Sequence, residues 1–258
     1  EAPAEADPGR RSANIGMALT WLATILLLGG VVLRGLWAQR VPWGNMYEFS
    51  ITAALGILIV FLALSLRRDL RWLGLFVVIA TLLTLGLAVT VLYTEAALLV
   101  PALKSYWLII HVSAASISAG AFTVAAGSAG LSLIRARAEK RAGSENVSGW
   151  LSRVPTAKRL QTLTNRVVAF SFPLWTFAVI AGAIWAENAW GRYWGWDPKE
   201  TWAFITWVIY AAYLHARSTA GWRGNRASWI AIAGWLSFLI NYFGVNLFVN
   251  SLHSYAGL

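Results

Sequence analysis

Seven charge-free apolar runs constrain this chain more than any other feature of its sequence. They cover residues 15–33, 49–66, 72–93, 105–134, 167–185, 201–216 and 227–250. A helix needs about 20 apolar residues to cross about 30 Å of hydrocarbon, and these runs approach or exceed that length. They are continuously apolar and lack the alternating pattern of membrane barrel strands. The sequence therefore predicts an all-α, polytopic membrane bundle of about seven transmembrane helices.

The composition excludes several classes of protein. Hydrophobic residues make up 58% of the chain and charged residues 12%, whereas a soluble domain has about 25% charged residues. The same balance argues against disorder, which needs low hydrophobicity and high charge. The chain has no cysteine, so it contains no disulfide, thiolate metal site or cysteine nucleophile of its own. The net charge of +10 does not indicate a nucleic-acid partner, because basic loops on one membrane face give the same excess.

The basic residues predict the orientation of the bundle in a cell (inner or plasma) membrane. With the N-terminus inside, 16 of the 21 Lys and Arg residues fall in inner segments. This asymmetry follows the positive-inside rule, so we expect a cytoplasmic N-terminus and an extracytoplasmic C-terminus. The first run is too long for a signal-peptide core and is expected to be retained. The predicted organisation is a polar segment over 1–14 and a single transmembrane domain over 15–258. That domain includes a basic cytoplasmic loop at 135–165 and an extracytoplasmic loop at 186–200.

The three histidines fall at two predicted depths. His111 and His253 lie towards the outer surface, and His215 closes the sixth run on the inner side. A single histidine at such a place is commonly a snorkelling polar group. Two imidazoles from different helices can instead supply both axial ligands of a heme iron. His215 has no second ligand in this chain, so an iron there would need a ligand from another polypeptide.

The seventh run ends with polar residues at helical spacing. Asn246, Asn250 and His253 are separated by four and three positions, so they share a face if the helix continues that far. That face would point into a cavity or make ordinary interhelical hydrogen bonds. The spacing alone does not favour either interpretation.

Tryptophan is concentrated in one predicted loop. Five of the 16 tryptophans lie within residues 185–202, where even scatter would place about one. An aromatic belt accounts for a tryptophan or two at each span end, but not for this cluster. Gly191 and Gly195 allow close approach to the backbone, and flat indole faces suit a large planar ligand such as a porphyrin. Independently, Asp197, Pro198 and Glu200 have the spacing of a helix-capping box.

The motifs themselves resemble a known family. Residues 190–207, W-G-R-Y-W-G-W-D-P-K-E-T-W-A-F-I-T-W, are similar to the WWD motif of heme-handling membrane proteins. Three further stretches narrow this resemblance to one type of subunit. They are the continuation to residue 217, the closing G-V-N-L-F-V-N-S-L-H-S-Y-A-G, and the P-W-G-N-M-Y-E-F of residues 42–49. Over residues 40–258 the chain resembles the CcsA/ResC-type subunit of the System II cytochrome c synthase. Many members of that family have one span more than the seven counted here.

The resemblance implies roles for particular residues. It places His111 and His253 as axial ligands of a heme iron on the outer face, where they act with Asp197 in catalysis. It implies that heme is contacted by the loop and its flanks, at Trp190, Gly191, Trp194, Gly195, Trp196, Pro198 and Trp202. It makes His215 an iron ligand at an inner site, where a ResB-type membrane partner supplies the second histidine.

The implied function is cytochrome c maturation. Heme b, as a transported substrate, would reach the outer site and be attached by thioether bonds to the Cys-x-x-Cys-His motif of an apocytochrome c. The chain would act within a holocytochrome c synthase complex rather than alone. Its implied partners are the ResB-type subunit, the apocytochrome, thiol-reducing proteins and the lipid bilayer, with no nucleic acid.

Three other functions are weighed against this one. A b-type electron-transfer cytochrome with two bis-histidine hemes needs four histidines, and this chain has three. A coupled transporter is expected to carry carboxylates inside its spans or helices broken mid-membrane, and the predicted spans contain no acidic residue. A heme escort whose partner performs the ligation is not separated from a synthase by sequence.

Overall fold

Long helices form the regular structure of this protein. The structure is a computed structural model that describes residues 8–96, 103–143, 147–219 and 221–253. The long helices are α1 (Pro8–Ala38), α2 (Met46–Ser65), α3 (Gly74–Thr90), α4 (Tyr106–Ala142), α5 (Ala157–Trp190), α6 (Pro198–Ser218) and α7 (Asn225–Leu239). Short 3-10 helices occupy Arg71–Leu73 and Gly149–Arg153, and a π-helical segment, Ile240–Gly244, joins α7 to the short α8, Val245–Phe248. Within the described ranges every regular element is helical, so the predicted all-α bundle is confirmed.

The seven predicted runs coincide with the long helices. Among the described residues, six helical stretches are long and apolar enough to cross a membrane. The exception is α6, which has 21 residues but does not belong to this apolar set. Ionisable residues lie in both its first and its last turn. The chain is therefore a polytopic helical membrane protein.

The helices extend further than the apolar runs, which shortens the predicted loops. Helix α4 continues to Ala142 and α5 begins at Ala157, so only 143–156 of the predicted 135–165 loop lies between them. Similarly, α5 reaches Trp190 and α6 begins at Pro198, which reduces the predicted 186–200 loop to 191–197. Within the predicted polar segment 1–14, residues 1–7 lie outside the described residues and α1 already begins at Pro8. Charge-free runs indicate the membrane-spanning part of a helix, whereas a helix can continue with polar side chains into water.

An ion pair and hydrogen bonds hold together the helical extensions within residues 135–165. The Arg135 side chain pairs with Glu139 one turn later, at 3.0 Å, and also donates to the carbonyl of Leu151. The Glu139 carboxylate accepts from the backbone N–H of Ala157 at 3.1 Å, at the start of α5. These contacts connect α4, the 3-10 helix and α5 into one corner.

Helix α4 forms the centre of the bundle and packs against α5, α2 and α7. Its crossing with α2 is close because both helices present small residues there. A methyl group added to Gly120 would lie only 2.9 Å from the carbonyl oxygen of Gly56. Small residues allow membrane helices to approach in this way, since packing rather than the hydrophobic effect drives their association in lipid.

A buried charge cluster holds the connection between α1 and α2. The Glu48 side chain is fully buried and pairs with Arg34 at 3.0 Å and with Arg40 at 2.6 Å. Its carboxylate also accepts the backbone N–H of Gly44 at 2.7 Å. A buried carboxylate needs such partners because leaving it unpaired in a low-dielectric interior is costly. The cluster fixes the segment 43–45, which forms part of the wall of the cavity described next.

Candidate functional site

A cavity opens at the end of the bundle where α4 begins, α5 ends and α6 begins. It encloses about 170 Å³. His111 and His253 both line it. Much of the remaining wall is aromatic and comes from the α1–α2 connection, α2, α5, the 191–197 loop, α7 and the π segment: Trp43, Phe49, Trp175, Trp185, Tyr193, Trp194, Phe238 and Tyr242. The structure therefore brings the two predicted outer histidines, which are 142 positions apart, to one apolar cavity.

His111, the sixth residue of α4, is fixed by α5. Its Nδ1 lies 2.7 Å from the carbonyl oxygen of Ala178, an acceptor that makes Nδ1 the protonated nitrogen. The ring stacks on Trp185, with planes 10° apart and centroids 6.3 Å apart. On its other side the imidazole lies against Gly182, where an added methyl group would be 2.7 Å from Nδ1.

His253 lies beyond α8 and is held by the loop before α6. Its Nδ1 is 2.9 Å from Oδ2 of Asp197, and its ring contacts Trp190 and Trp185 edge-to-face, at centroid distances of 4.8 and 5.5 Å. Burial lowers the pKa of the His253 imidazole and outweighs the opposing hydrogen bond and charge of Asp197. The ring is therefore neutral near pH 7, the protonation state that a metal ligand requires.

Asp197 connects the C-terminal segment to α6. Its Oδ1 accepts the backbone N–H of Leu252 at 3.0 Å, and its Oδ2 accepts that of Lys199 at 3.2 Å. Burial acts to raise the pKa of this carboxyl, but the hydrogen bonds from His253 and Leu252 together lower it. Asp197 is thus ionised, and it both caps a helix and orients an imidazole.

The two histidines share one bonding pattern. Each uses Nδ1 for a protein oxygen, a backbone carbonyl for His111 and a carboxylate for His253. Metal-binding histidines commonly have this arrangement, in which the bonded nitrogen fixes the tautomer and leaves Nε2 as the ligand. In both rings the hydrogen bond at Nδ1 leaves Nε2 as the nitrogen without a proton.

The predicted capping box is present at the start of α6. Pro198 occupies the first turn, and Glu200 Oε2 accepts the backbone N–H groups of Asp197 at 3.0 Å and Gly195 at 2.8 Å. Arg192 pairs with the same carboxylate at 3.1 Å. At the other end of the loop, Gly191 terminates α5 with φ +72°. The left-handed conformation at Gly191 and the bonds at Gly195 give these glycines roles in shaping the loop.

The tryptophans predicted to contact heme occupy different positions. Trp194 lines the cavity, and Trp190 contacts the ring of His253. Trp196 is 65% exposed, has a φ of +59° and packs edge-on against Trp194 and Phe204. Among the residues described, Trp196 and Trp202 do not form part of the cavity wall. The tight turn needed to place Asp197 as the helix cap directs Trp196 outwards.

His215 lies far from the other two histidines. It is exposed, near the C-terminal end of α6. Its 18-residue separation from Asp197 corresponds to about 27 Å of helix. His215 is therefore not part of the cavity wall.

The predicted polar face after α7 is only partly formed. Asn246 is buried, donates to the carbonyl of Tyr242 at 2.5 Å and lines the cavity. The helix ends at Phe248, however, and Asn250 is exposed. The condition for one shared helical face through Asn250 to His253 is therefore not met, because the chain leaves the helix before Asn250.

Sequence reasoning did not single out several residues of the site. Gly182 makes room for His111, and a glycine inside a span gives no sign of such a role. Lys199 lines the cavity, although the sequence placed it only within a helix cap. Asn241 lines the cavity too. The only signal in the sequence was that Asn241 stands beside Tyr242 inside an otherwise apolar run.

Comparison with known proteins identifies the family of this chain. The family model for cytochrome C assembly protein matches residues 43–253. That range includes the cavity wall from Trp43 to His253. The chain belongs to the cytochrome c assembly protein family. The resemblance predicted from the motifs is therefore confirmed.

Individual relatives extend the match to almost the whole chain. A cytochrome c biogenesis protein CcsA of Guillardia theta is 37% identical over 95% of this chain and 86% of its own length. The CcsA of Prochlorococcus marinus is 36% identical over 95% of this chain and 84% of its own length. The CcsA of Oryza sativa is 34% identical over 95% of this chain and 86% of its own length. Membership of this family, together with the apolar helices, makes the chain a multi-pass membrane protein with a role in cytochrome c biogenesis.

Proposed function

We propose that this assembly protein holds heme in its cavity and presents it for thioether attachment to a Cys-x-x-Cys-His apocytochrome c. The supporting observation is the matched pair of imidazoles. His111 and His253 line one cavity, and each has Nδ1 committed to a protein oxygen. Nε2 of each ring would then be available to hold the heme iron.

The shape of the cavity supports presentation rather than storage. Its volume of about 170 Å³ lies below the roughly 300–1,000 Å³ of sites that enclose a drug-sized ligand. A porphyrin bound here therefore leaves part of its edge outside or pushes the walls apart. An exposed edge is where a substrate protein can reach the vinyl groups.

The chemistry requires positioning more than it requires a catalytic side chain. Adding a thiol across a vinyl group breaks the S–H bond and the π bond of C=C, and forms one C–S and one C–H bond. The addition has no leaving group. Holding heme and thiols together makes this bimolecular addition effectively intramolecular. The substrate brings both thiols, and this chain, which has no cysteine, offers no competing one.

The exposed His215 fits a second heme position shared with another subunit. A ResB-type partner packed against this end of α6 would supply the other histidine. Heme would then pass from the cytoplasmic side, through this position, to the cavity at the extracytoplasmic surface of the cell membrane.

The test is to co-express the chain with a ResB-type partner and an apocytochrome, and to measure covalent heme by staining. His111→Ala and His253→Ala should each reduce attachment at least tenfold, because one iron ligand is lost. Added imidazole should restore part of it, since it can occupy the vacated iron position. His215→Ala should deplete the heme that is bound before attachment.

Asn250→Ala is the matched control for His253→Ala. Asn250 is exposed and lies three positions earlier on the same terminal segment, so its replacement should leave attachment unchanged. If both histidine variants attach heme as well as the parent does, the axial-ligand assignment is wrong.

A further inference from the structure

Lys199 is a buried lysine of the cavity wall. Burial lowers the pKa of its side chain to about 7, and the nearby charge of Asp197 opposes that shift. A carboxylate entering the cavity would favour the ammonium form. Lys199 lies in the first turn of α6 and lines the cavity together with His111 and His253. Its Nζ donates to the backbone carbonyl of Asn241 at 3.0 Å and lies 5.7 Å from the ring centre of Tyr242. Across the described ranges Lys199 forms no salt bridge. An ammonium group has three donors, so this one can still bind an anion.

The two nearest acidic residues along the chain are committed to other partners. Glu200 binds Arg192 and two backbone N–H groups of the loop. Asp197 binds the imidazole of His253 and two backbone N–H groups. Asp197 therefore acts on the Lys199 ammonium group through its charge and not through a direct hydrogen bond, which leaves the ammonium donors of Lys199 for an anionic ligand that enters the cavity.

Asn241 supplies an independent sign of a ligand beside Lys199. Only 4% of this residue is exposed, yet its side-chain Oδ1 has no hydrogen-bond partner in the described structure. It lines the cavity from the π-helical segment Ile240–Gly244. Such segments are frequent at functional sites, and buried polar atoms are nearly always hydrogen-bonded. Because the two ends of an amide are interchangeable by a flip, Asn241 can donate to an anion.

We propose that Lys199 Nζ and the Asn241 amide form a carboxylate subsite of the cavity, and that it takes a propionate of the bound heme. This inference rests on the proposed function and deepens it. The propionates of heme b lie together on one edge, away from the vinyl groups. Binding them at Lys199 selects one rotation of the macrocycle within the cavity, and thereby determines which edge an apocytochrome meets.

The test compares heme with heme dimethyl ester, which has the same iron and vinyl groups but no carboxylate. The full chain, purified in detergent, is titrated with each compound, and binding is followed in the Soret band. The parent should bind heme about tenfold or more tightly than the ester, as expected for charge-assisted hydrogen bonds. Lys199→Met should bring this ratio close to one while the bis-imidazole spectrum persists. Lys158→Met, at an exposed lysine of α5, should keep the parent ratio.

A second variant keeps the proposal testable if Lys199→Met does not fold. Asn241→Asp places a carboxylate beside Lys199. It should therefore weaken heme binding several-fold and leave the binding of the ester almost unaffected. A heme-to-ester ratio near one in the parent overturns the subsite. So does a Lys199→Met variant that weakens the binding of both compounds equally, because Lys199 would then only hold α6 against the π-helical segment.

The same titration separates this inference from the proposed function. If the parent shows no bis-imidazole spectrum with either compound, the axial-ligand proposal fails, and the subsite fails with it. If that spectrum is present and the parent's ratio is one, only the propionate subsite is overturned.

Discussion

At His111, two neighbours on α5 determine where the imidazole can point. The Ala178 carbonyl accepts from one nitrogen, and Gly182 leaves space for the ring. The sequence predicted His111 as a ligand from its type and depth. It could not predict which nitrogen is free, because that depends on a backbone carbonyl contributed by another helix.

Gly182→Ala is predicted to damage the site without changing any ligand. The new methyl group would lie 2.7 Å from Nδ1 and 2.8 Å from Cε1 of His111, so the ring must move and its bond to Ala178 is lost. Loss of an outer-shell partner typically costs 10–100-fold in metal affinity. A heme titration should show a decrease of about that size.

Gly86→Ala, on α3, provides the control for this change. An added methyl group there has no atom within 4 Å, so heme affinity should stay at the parent level. Equal affinity in the Gly182 variant and the parent would contradict the geometry assigned to His111.

The loop residues show where prediction from sequence reached its limit. Asp197, Pro198 and Glu200 were predicted as a capping box, and the structure has it, because capping depends on local spacing alone. Trp196 was predicted to contact heme, which stays a prediction, and the structure places it exposed and outside the cavity wall. The direction of a side chain in a tight turn depends on tertiary geometry that spacing does not contain.

At the scale of the helices, apolar runs located all seven long elements but not their ends. The runs reflect the thickness of a membrane, whereas helix ends depend on caps and ion pairs such as Arg135 with Glu139. The π-helical segment Ile240–Gly244 was not predicted either. Nothing in its apolar sequence distinguishes an extra residue per turn from a regular helix.

The crossing of α2 and α4 supports a prediction on stability. Gly120→Ala should lower the thermal unfolding midpoint in detergent, because its methyl group would lie 2.9–3.1 Å from the backbone of Gly56 and Ile57. Overpacking of this kind costs about 1–3 kcal/mol. The gain of up to about 1 kcal/mol from replacing a helical glycine by alanine is too small to offset the larger part of that range.

Gly130→Ala, on the same helix, isolates the effect of packing. A methyl group at Gly130 has no atom within 4 Å, so only the gain in helix propensity applies and the midpoint should stay or rise. A Gly120 variant as stable as the Gly130 variant would show that the two helices do not depend on their close approach.

For the whole molecule, charge distribution and hydropathy together predicted a bundle with two chemically different ends. The structure places His111 and His253 at one end and the exposed His215 near the other end of α6. The sequence could not establish that a single cavity is lined by residues from the α1–α2 connection, α4, α5 and the C-terminal segment. That arrangement depends on how α4 packs against its neighbours.

The predicted sidedness can be measured directly because the chain has no cysteine. Asn188→Cys, near the end of α5, and Ser152→Cys, in the 3-10 helix between α4 and α5, each introduce a single thiol at an exposed position. A membrane-impermeant maleimide applied to intact cells should label the first variant only. The second variant should be labelled after the membrane is permeabilised, and the reverse pattern would contradict the predicted orientation.

The two proposed iron ligands are anchored unequally, and this suggests an order of events during transfer. His111 is part of α4, so displacing it means distorting a packed helix. His253 lies five positions beyond the last described helix. It is retained by one carboxylate, which also binds the neighbouring Leu252 N–H, and by ring contacts with Trp185 and Trp190. When the histidine of an incoming apocytochrome competes for the metal, we expect His253 to dissociate first and His111 to remain on the opposite axial position until release.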